Sequence, residues 1–453
     1  MLNSYQEALE FLENRRPVDF NHTFAGQKSL NRVKKVLELL DNPQEKIKII
    51  HIAGTSGKGS TAYFTSKILE VSGFKVGLTV SPSVFSLLER FQINSTNLGE
   101  EKFVEYLNQI IPFIEQVDKL KSGTLTFFDI TTILAFYIFE KEKVDYAVVE
   151  TGIGGLMDAT NTVKNPNKIV ILTNIDFDHT EILGKKISQI ARQKAGVIFP
   201  GNTVFSALQK DPVAKVLNEK TEAVKAKLYI IREDLRGFSF YTRLKTNEFG
   251  TKFNFHYSGI WVNDIILSQI GNFQAQNCSL ALAACLFLAT RNGFEIDQET
   301  IKQALRQIQI PARNQKVKYQ NKEFFVDLAH NPHKVESISA LMQYLYPGFK
   351  FTVIFGALSH KDSRKMLKSV AKIAQTVILT KSETHSPASH NQSQTIVDLE
   401  AQTKTVKELA QTKILVKNSP KEAIDSALQE NTNKVLVVGS SYLAKEVLKQ
   451  ILI

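Results

Sequence analysis

The sequence predicts an α/β protein: a mostly parallel sheet with a small antiparallel subregion, followed by a second α/β domain. Three observations carry this. Apolar, β-branched runs of strand length alternate with helical stretches, the pattern of a doubly wound sheet. The run Ile49–Ala53 empties into a glycine-rich turn that carries a lysine and opens a helix. Pro311 stops a helix and precedes a fresh series of strand–helix units. At 453 residues the chain is too long for one ordinary core. The expected division is residues 1–309, including two N-terminal helices, and residues 310–453.

Taken in order, residues 2–15 and 29–41 read as amphipathic helices separated by a polar, Pro-containing loop. Parallel strands are expected at 47–53, 74–79, 144–150 and 168–174, with helices at 101–117, 126–141 and 185–197. Residues 227–270 differ: short alternating runs such as Lys252–Tyr257 predict antiparallel strands. Gly271–Asn277 then opens a small-residue apolar helix, 278–291, and a second helix covers 297–308. Beyond Pro311 the expected order is strand 323–328, helix 333–346, strand 350–355, helix 362–372 and strand 375–380, closing with strand 434–438 and helix 441–451. Lys381–Gln394 is the most loop-like stretch.

Composition narrows the class. An apolar fraction of 43% with 22% charged residues is that of a folded, water-facing chain. The longest apolar runs, such as Ala281–Ala289, fall far short of a membrane span, and the N-terminus carries no secretory pattern. The two cysteines, Cys278 and Cys285, share an apolar helix and read as reduced core residues of a cytoplasmic protein. The formal charge is +11, but the lysines are scattered without a basic block or basic–aromatic alternation. A positive field around anionic nucleotides and carboxylates accounts for it without nucleic acid.

Several strand ends carry chemistry. Gly54-Thr55-Ser56-Gly57-Lys58-Gly59-Ser60 between a strand and a helix makes a phosphate cradle: backbone N–H groups face the anion and Lys58 adds a mobile charge. The usual pattern is shortened here, and a bare tight turn between strand and helix is the ordinary alternative. Glu150, at the carboxyl end of its strand, is placed to hold Mg²⁺ or orient a water, with a solvent-facing glutamate at a strand end as the ordinary alternative. Asp158 and Asn161 serve either substrate or loop structure. His179, in Asp176-Phe177-Asp178-His179, could ligate a cation or meet a phosphate, although a lone loop histidine more often does neither. Lys194 near a helix end is ordinarily a C-terminal charge; as a carbamate it would be a metal-bridging carboxylate. In the second domain Asp327 and His330 share a strand end, and Arg313 sits at the expected hinge. These three could reach nucleotide bound to the first domain only on closure, shielding a reactive intermediate from water.

Over nearly its whole length the chain resembles the ATP-dependent, Mur-ligase-like family of folylpolyglutamate and dihydrofolate synthases. The resemblance rests on His51–Ser60, with Ser56 where asparagine is usual, and on Ser81-Pro82, with Ser83 where histidine is usual. It continues through Glu150–Asn161, Asp178-His179, Gln193-Lys194-Ala195-Gly196 and Gly271–Asn277. Arg313, the Asp327–Pro332 segment with Leu328 replacing glycine, Phe355–Leu358, and Gly439-Ser440-Ser441-Tyr442-Leu443 complete it; Ser359-His360 departs from the usual pattern.

The resemblance implies Mur ligase architecture with a Rossmann-like second domain, and it assigns roles. Mg²⁺ would be held by Ser81 and Glu150, and a second ion by His179 and a carbamylated Lys194. Gly54 to Ser60, Asn277, Arg313 and Asp327 would bind ATP, and Lys58, Glu150, His179, Lys194, Asp327 and His330 would form the catalytic set. The implied reaction joins L-glutamate to folate or dihydropteroate through an acyl phosphate, releasing ADP and phosphate, in a cytoplasmic monomer without nucleic-acid or membrane partners. The alternatives are a related ligase acting on a cell-wall precursor or another carboxylate, and a nucleotide-binding regulatory protein without chemistry.

Overall fold

The computed structural model describes residues 1–16, 26–120, 123–234, 239–358, 361–382, 396–405 and 411–452. Ser359 and His360, and almost all of the loop-like stretch 381–394, lie outside them. The chain divides into two compact units: Met1–Lys245, Thr251–Ser268 and Asn272–Ile308, then Thr246–Gly250, Gln269–Gly271 and Gln309–Ile453.

The main sheet of the first unit has eight strands: β1 (Lys48–Ala53), β2 (Val76–Thr79), β3 (Gln92–Ile93), β4 (Thr96–Asn97), β5 (Tyr146–Glu150), β6 (Ile169–Leu172), β7 (Thr203–Ala207) and β8 (Lys227–Ile231). Their order is β4-β3-β2-β5-β1-β6-β7-β8. Only β3, near one edge, runs against the others, pairing antiparallel with both β2 and β4. β5 and β6 flank β1 in parallel, with Ile52 opposite both Glu150 and Ile171. Apart from Lys48 at the start of β1, the central strands are buried throughout, as a sheet covered on both faces requires. Helices Glu100–Asp118 and Phe127–Lys141 pack into one core cluster through Phe103, Leu107, Ile133, Phe136 and Phe139. Helix Lys58–Val71 packs instead against helix Asn272–Asn292.

Two sequence expectations need correcting. Lys227–Ile231 is not part of the antiparallel region; it is the parallel edge strand β8, paired only with β7. As a short, partly exposed edge strand directly ahead of the antiparallel strands, it carries no periodicity of its own that separates it from them. The antiparallel sheet proper is β9 (Ser239–Asn247), β10 (Gly250–Tyr257) and β11 (Ile260–Leu267). The apolar helix begins at Asn272, not 278, so Gln274 and Asn277 lie in its first two turns and are buried. That helix has the length and hydropathy of a membrane span, yet 78% of its most apolar window is buried inside the unit, as in a core helix. Cys278 and Cys285 on it are buried and free, and burial pushes both thiols up.

The second unit contains a six-stranded sheet of order β12 (Gln315–Tyr319), β13 (Lys322–Val326), β17 (Lys434–Val438), β14 (Phe351–Phe355), β15 (Ala374–Leu379) and β16 (Lys413–Val416). All pairings are parallel except β12 with β13. β12, β16 and helix Pro420–Gln429 were not expected from sequence, nor was β7 with helix Asp211–Ala223; these are short or only moderately apolar stretches.

Helix Phe127–Lys141 allows two stability contributions to be separated. Thr126 and Asp129 form a capping box at its start, whereas Phe139 is fully buried at its end. Thr126→Ala is expected to cost about 1 kcal/mol and Phe139→Ala about 3–5 kcal/mol in denaturant unfolding. Next to this helix, Lys102, then Tyr106 and Lys75, hold the Glu142 carboxyl down at about 2, against burial. A depressed carboxyl stabilises above its unfolded value of 4.5 and loses that contribution as pH falls towards 2. The stability gap between the parent and Glu142→Gln should therefore be full at neutral pH and close over that window. Thermal melts from pH 7 to 2.5 measure it, and the gap should not exceed about 1 kcal/mol so close to solvent.

Candidate active site

At the exit of β1 the chain needs glycine twice. Gly54 has φ of 148° and Gly57 φ of 93°. A Cβ on Gly54 would fall 1.9 Å from Thr173 Oγ1, and one on Gly57 2.2 Å from Asn277 Oδ1. Gly57 precedes helix Lys58–Val71 and no side chain caps that helix end. Its first N–H groups, with about half a positive charge between them, are left for an anion. The loop is pinned from the β6 side. Thr55 and Ser56 N–H both donate to Asn174 O, at 2.8 and 3.3 Å, and Thr55 Oγ1 exchanges two bonds with the Asp176 backbone. From below, buried Lys194 donates from Nζ to Gly54 O at 2.7 Å.

Beside the cradle, at the end of β5, the buried Glu150 carboxylate accepts the Ser81 N–H at 2.8 Å through Oε2. Its Oε1 lies 4.0 Å from Lys58 Nζ. Carboxylate and hydroxyl oxygens are hard donors that suit Mg²⁺, which takes one or two protein ligands and completes its shell from phosphate and water. No group of three or more His, Cys, Asp or Glu able to hold a metal occurs among the described residues, so a cage built wholly by such side chains is absent there. The donor set fits Mg²⁺ brought in with a nucleotide.

The remaining residues divide. His179 adopts a left-handed backbone (φ 49°) ahead of helix Thr180–Leu183, with Nε2 4.0 Å from Asp178 Oδ1. Lys194 as an ammonium is a donor, so only a carbamate on it could ligate a cation. Asp158 accepts the N–H groups of Ile153 and Thr160 and the Thr160 hydroxyl, and Asn161 Nδ2 donates to Leu156 O and Gly196 O. Both therefore build the Gly152–Asn161 loop. Asn277 Nδ2 donates to Gln274 Oε1 at 3.0 Å, and its own Oδ1 is the atom nearest a Cβ on Gly57.

In the second unit Asp327, directly after β13, is buried and accepts the N–H groups of Asn314 (2.7 Å) and Ala329 (2.8 Å). Burial raises its pKa, and Arg313 opposes that. His330 donates from Nδ1 to Leu328 O at 2.7 Å, which leaves Nε2 as acceptor in the neutral ring, 3.5 Å from Lys334 Nζ. Gly439 N–H donates to Ala329 O, and Ser440 caps helix Ser441–Ile451, so the Gly-Ser segment supports the same strand end.

One charged group escaped the sequence reading. Arg90, closing the short turn Leu87–Arg90, sets its guanidinium 5.5 and 5.9 Å from the rings of Phe127 and Phe128, and Arg16 lies 3.8 Å from the same Phe127 ring. Burial pulls the Arg90 pKa down to about 10, Arg16 adds to this, and Glu150 works against it. A single arginine in a Glu-Arg pair carries no motif, so nothing in the sequence marks it.

Comparison with known proteins bears on this geometry. Family profiles for the Mur ligase middle domain and for the Mur ligase glutamate ligase domain match residues 52–285 and 312–441. The dihydrofolate synthase/folylpolyglutamate synthase of Bacillus subtilis is 31% identical over 378 residues, covering 83% of this chain and 85% of its own. The protein of that name from Mycobacterium tuberculosis is 30% identical over 390 residues, covering 82% and 76%. Among solved structures, Mycobacterium tuberculosis folylpolyglutamate synthase complexed with ADP and AMPPCP aligns with a TM-score of 0.85 at 24% identity, over 99% of this chain and 98% of the other. That likeness speaks to the fold. An FPGS–AMPPCP–folate complex aligns with a TM-score of 0.83 at 25% identity, over 99% and 100%.

The crowding at Gly57 gives a direct test of the cradle. Gly57→Ala forces a Cβ onto the Asn277 amide in a backbone conformation that costs an L-residue of order 1 kcal/mol or more. Calorimetric titration with AMPPCP should show affinity reduced at least about tenfold, each tenfold being about 1.4 kcal/mol. The far-ultraviolet dichroism should stay unchanged.

Proposed function

This chain belongs to the Mur-ligase family of folylpolyglutamate and dihydrofolate synthases, and on that premise we propose that it joins L-glutamate to a folate-type carboxylate at the expense of ATP. The observation that carries the reading is the pairing at adjoining strand ends of an uncapped, glycine-lined helix terminus with the buried Glu150 carboxylate. A phosphate cradle beside a hard oxygen ligand is what phosphoryl transfer needs, since that reaction is mostly positioning and charge neutralisation.

The chemistry follows in two steps. A substrate carboxylate oxygen attacks the γ-phosphorus of ATP and ADP leaves, giving an acyl phosphate. The amine of L-glutamate then attacks the acyl carbon, phosphate leaves with its electron pair, and the nitrogen loses one proton. In this reading the N–H groups of Gly54 to Ser60 bind the nucleotide phosphates and Lys58 balances their charge. Ser81 and Glu150 would hold Mg²⁺, and His179 with a carbamylated Lys194 a second ion; bound there, such ions neutralise charge on the transferring phosphoryl group. A carbamate on Lys194 keeps one N–H on Nζ, so a donor for Gly54 O would remain. Asn277, Arg313 and Asp327 are assigned to nucleotide binding, and His330 and Asp327 to the catalytic set. The protein is read as a cytoplasmic monomer whose acceptor is dihydropteroate, a reduced folate, or both.

The decisive assay measures ADP and amide product with ATP, Mg²⁺ and L-glutamate against dihydropteroate, tetrahydrofolate and a muropeptide precursor. Product with a pteridine acceptor is expected. Product only with the muropeptide would make the chain a cell-wall ligase, and nucleotide binding without product would make it a regulator. Lys58→Ala should lower turnover at least about 10³-fold, a loss of about 4 kcal/mol of transition-state stabilisation, with an unchanged melting temperature. Undiminished turnover would remove Lys58 from the site.

A further inference from the structure

Below the cradle runs a buried polar chain that no step above uses. His51, on β1 three residues before Gly54, is fully buried. Its Nε2 lies 2.8 Å from Thr160 Oγ1 and 3.0 Å from Thr151 Oγ1. Thr160 Oγ1 lies 2.6 Å from Asp158 Oδ1. An ionised carboxylate only accepts, so the Thr160 proton points to Asp158 and its oxygen is left to accept from His51. That selects the Nε2–H tautomer of a neutral ring, its one proton shared between Thr160 Oγ1 and Thr151 Oγ1 as a three-centre bond, and burial keeps the ring neutral. Nδ1 then remains buried without a hydrogen-bond partner among the described residues.

A buried ring nitrogen left unpaired costs about 1–3 kcal/mol, and an apolar residue would fill this strand position without that cost. What the imidazole provides instead is a tie between three segments. It holds β1 directly upstream of the phosphate loop, the residue that follows Glu150, and the Gly152–Asn161 loop. Glu150 and Thr151 are adjacent: the carboxylate reaches Ser81 and Lys58, while the next hydroxyl reaches His51. Any shift of Thr151 moves Glu150.

We propose that His51 is a positioning residue, setting the separation of the Glu150 carboxylate from the phosphate loop so that a divalent cation and nucleotide phosphates fit between them. This rests on the nucleotide–cation reading of the site. The test uses the full chain and AMPPCP as probe, titrated by calorimetry with Mg²⁺ and again in EDTA. Outer-layer partners of metal ligands commonly account for 10–100-fold in metal affinity, so His51→Phe should weaken Mg²⁺-dependent binding at least about tenfold and metal-free binding by less than about twofold. His51→Gln, which offers an amide N–H near the place of Nε2, should restore binding to within about threefold of the parent. Parent-like Mg²⁺-dependent binding by His51→Phe would overturn the proposal, as would equal losses with and without metal. Should His51→Phe not fold, Thr151→Val serves. A Mg²⁺-specific loss of about threefold supports the tie, and none overturns it. A parent chain that fails to bind AMPPCP at all would instead sink the nucleotide reading, before any variant is compared.

Discussion

Parallel pairing of β5, β1 and β6 constrains everything else in the first unit. Strands that run the same way release their chains at the same edge, so the loops after β2, β5, β1 and β6 emerge side by side. β1 sits where the order reverses, with β2 and β5 to one side and β6, β7 and β8 to the other. The crevice at that reversal is where an α/β sheet offers an anion backbone N–H groups. Ser81, Glu150 and Gly54 to Ser60 are distant in sequence and neighbours because of this one geometric fact, and His179 follows the next strand of the same edge.

Within that edge, several positive groups surround one buried carboxylate. The bare end of helix Lys58–Val71, Lys58, Lys194 and Arg90 are positive, and Glu150 is a buried carboxylate among them. Unmodified, Lys194 donates a hydrogen bond to the Gly54 carbonyl and sets a positive charge beneath the loop; a carbamate there would keep the N–H and reverse the charge. Partly enclosed, these charges act in a lower dielectric than water and favour a polyanion carrying its own cation over either ion alone. The loop's rigidity has a local origin: backbone bonds from Thr55 and Ser56 to Asn174 tie the β1 and β6 exits together.

Much of this was legible from residues alone. The central strands and their helices were recognisable because buried parallel strands are apolar without interruption, and Gly-Lys-Gly-Ser after such a run has a direct physical meaning. Less legible were β8, which carries no periodicity that separates it from the antiparallel strands after it, and the first turns of helix Asn272–Asn292, where polar Gln274 and Asn277 are buried against the usual expectation. Asp158 and Asn161 were ambiguous between substrate and scaffold; their bonds to Ile153, Thr160, Leu156 and Gly196 assign them to the scaffold. Arg90 had no signal, because a lone arginine resembles an ordinary surface residue; His51 opened the segment that carries the resemblance, but a histidine within an apolar run gave no sign of its hydrogen-bond partners.

The sequence by itself determined the central strands and most of the long helices, the phosphate loop and the chemical types available at each strand end, because those depend on periodicity and on glycine's backbone freedom, which are local properties. Only the tertiary structure decided which of those groups touch. Whether Lys194 faces solvent or Gly54, whether Glu150 meets Lys58 and Ser81, and whether His51 is bare core or a tie to Thr151 and Thr160 depends on strand order and register. Those are set by burial summed over the whole sheet, and no stretch of neighbouring residues encodes them.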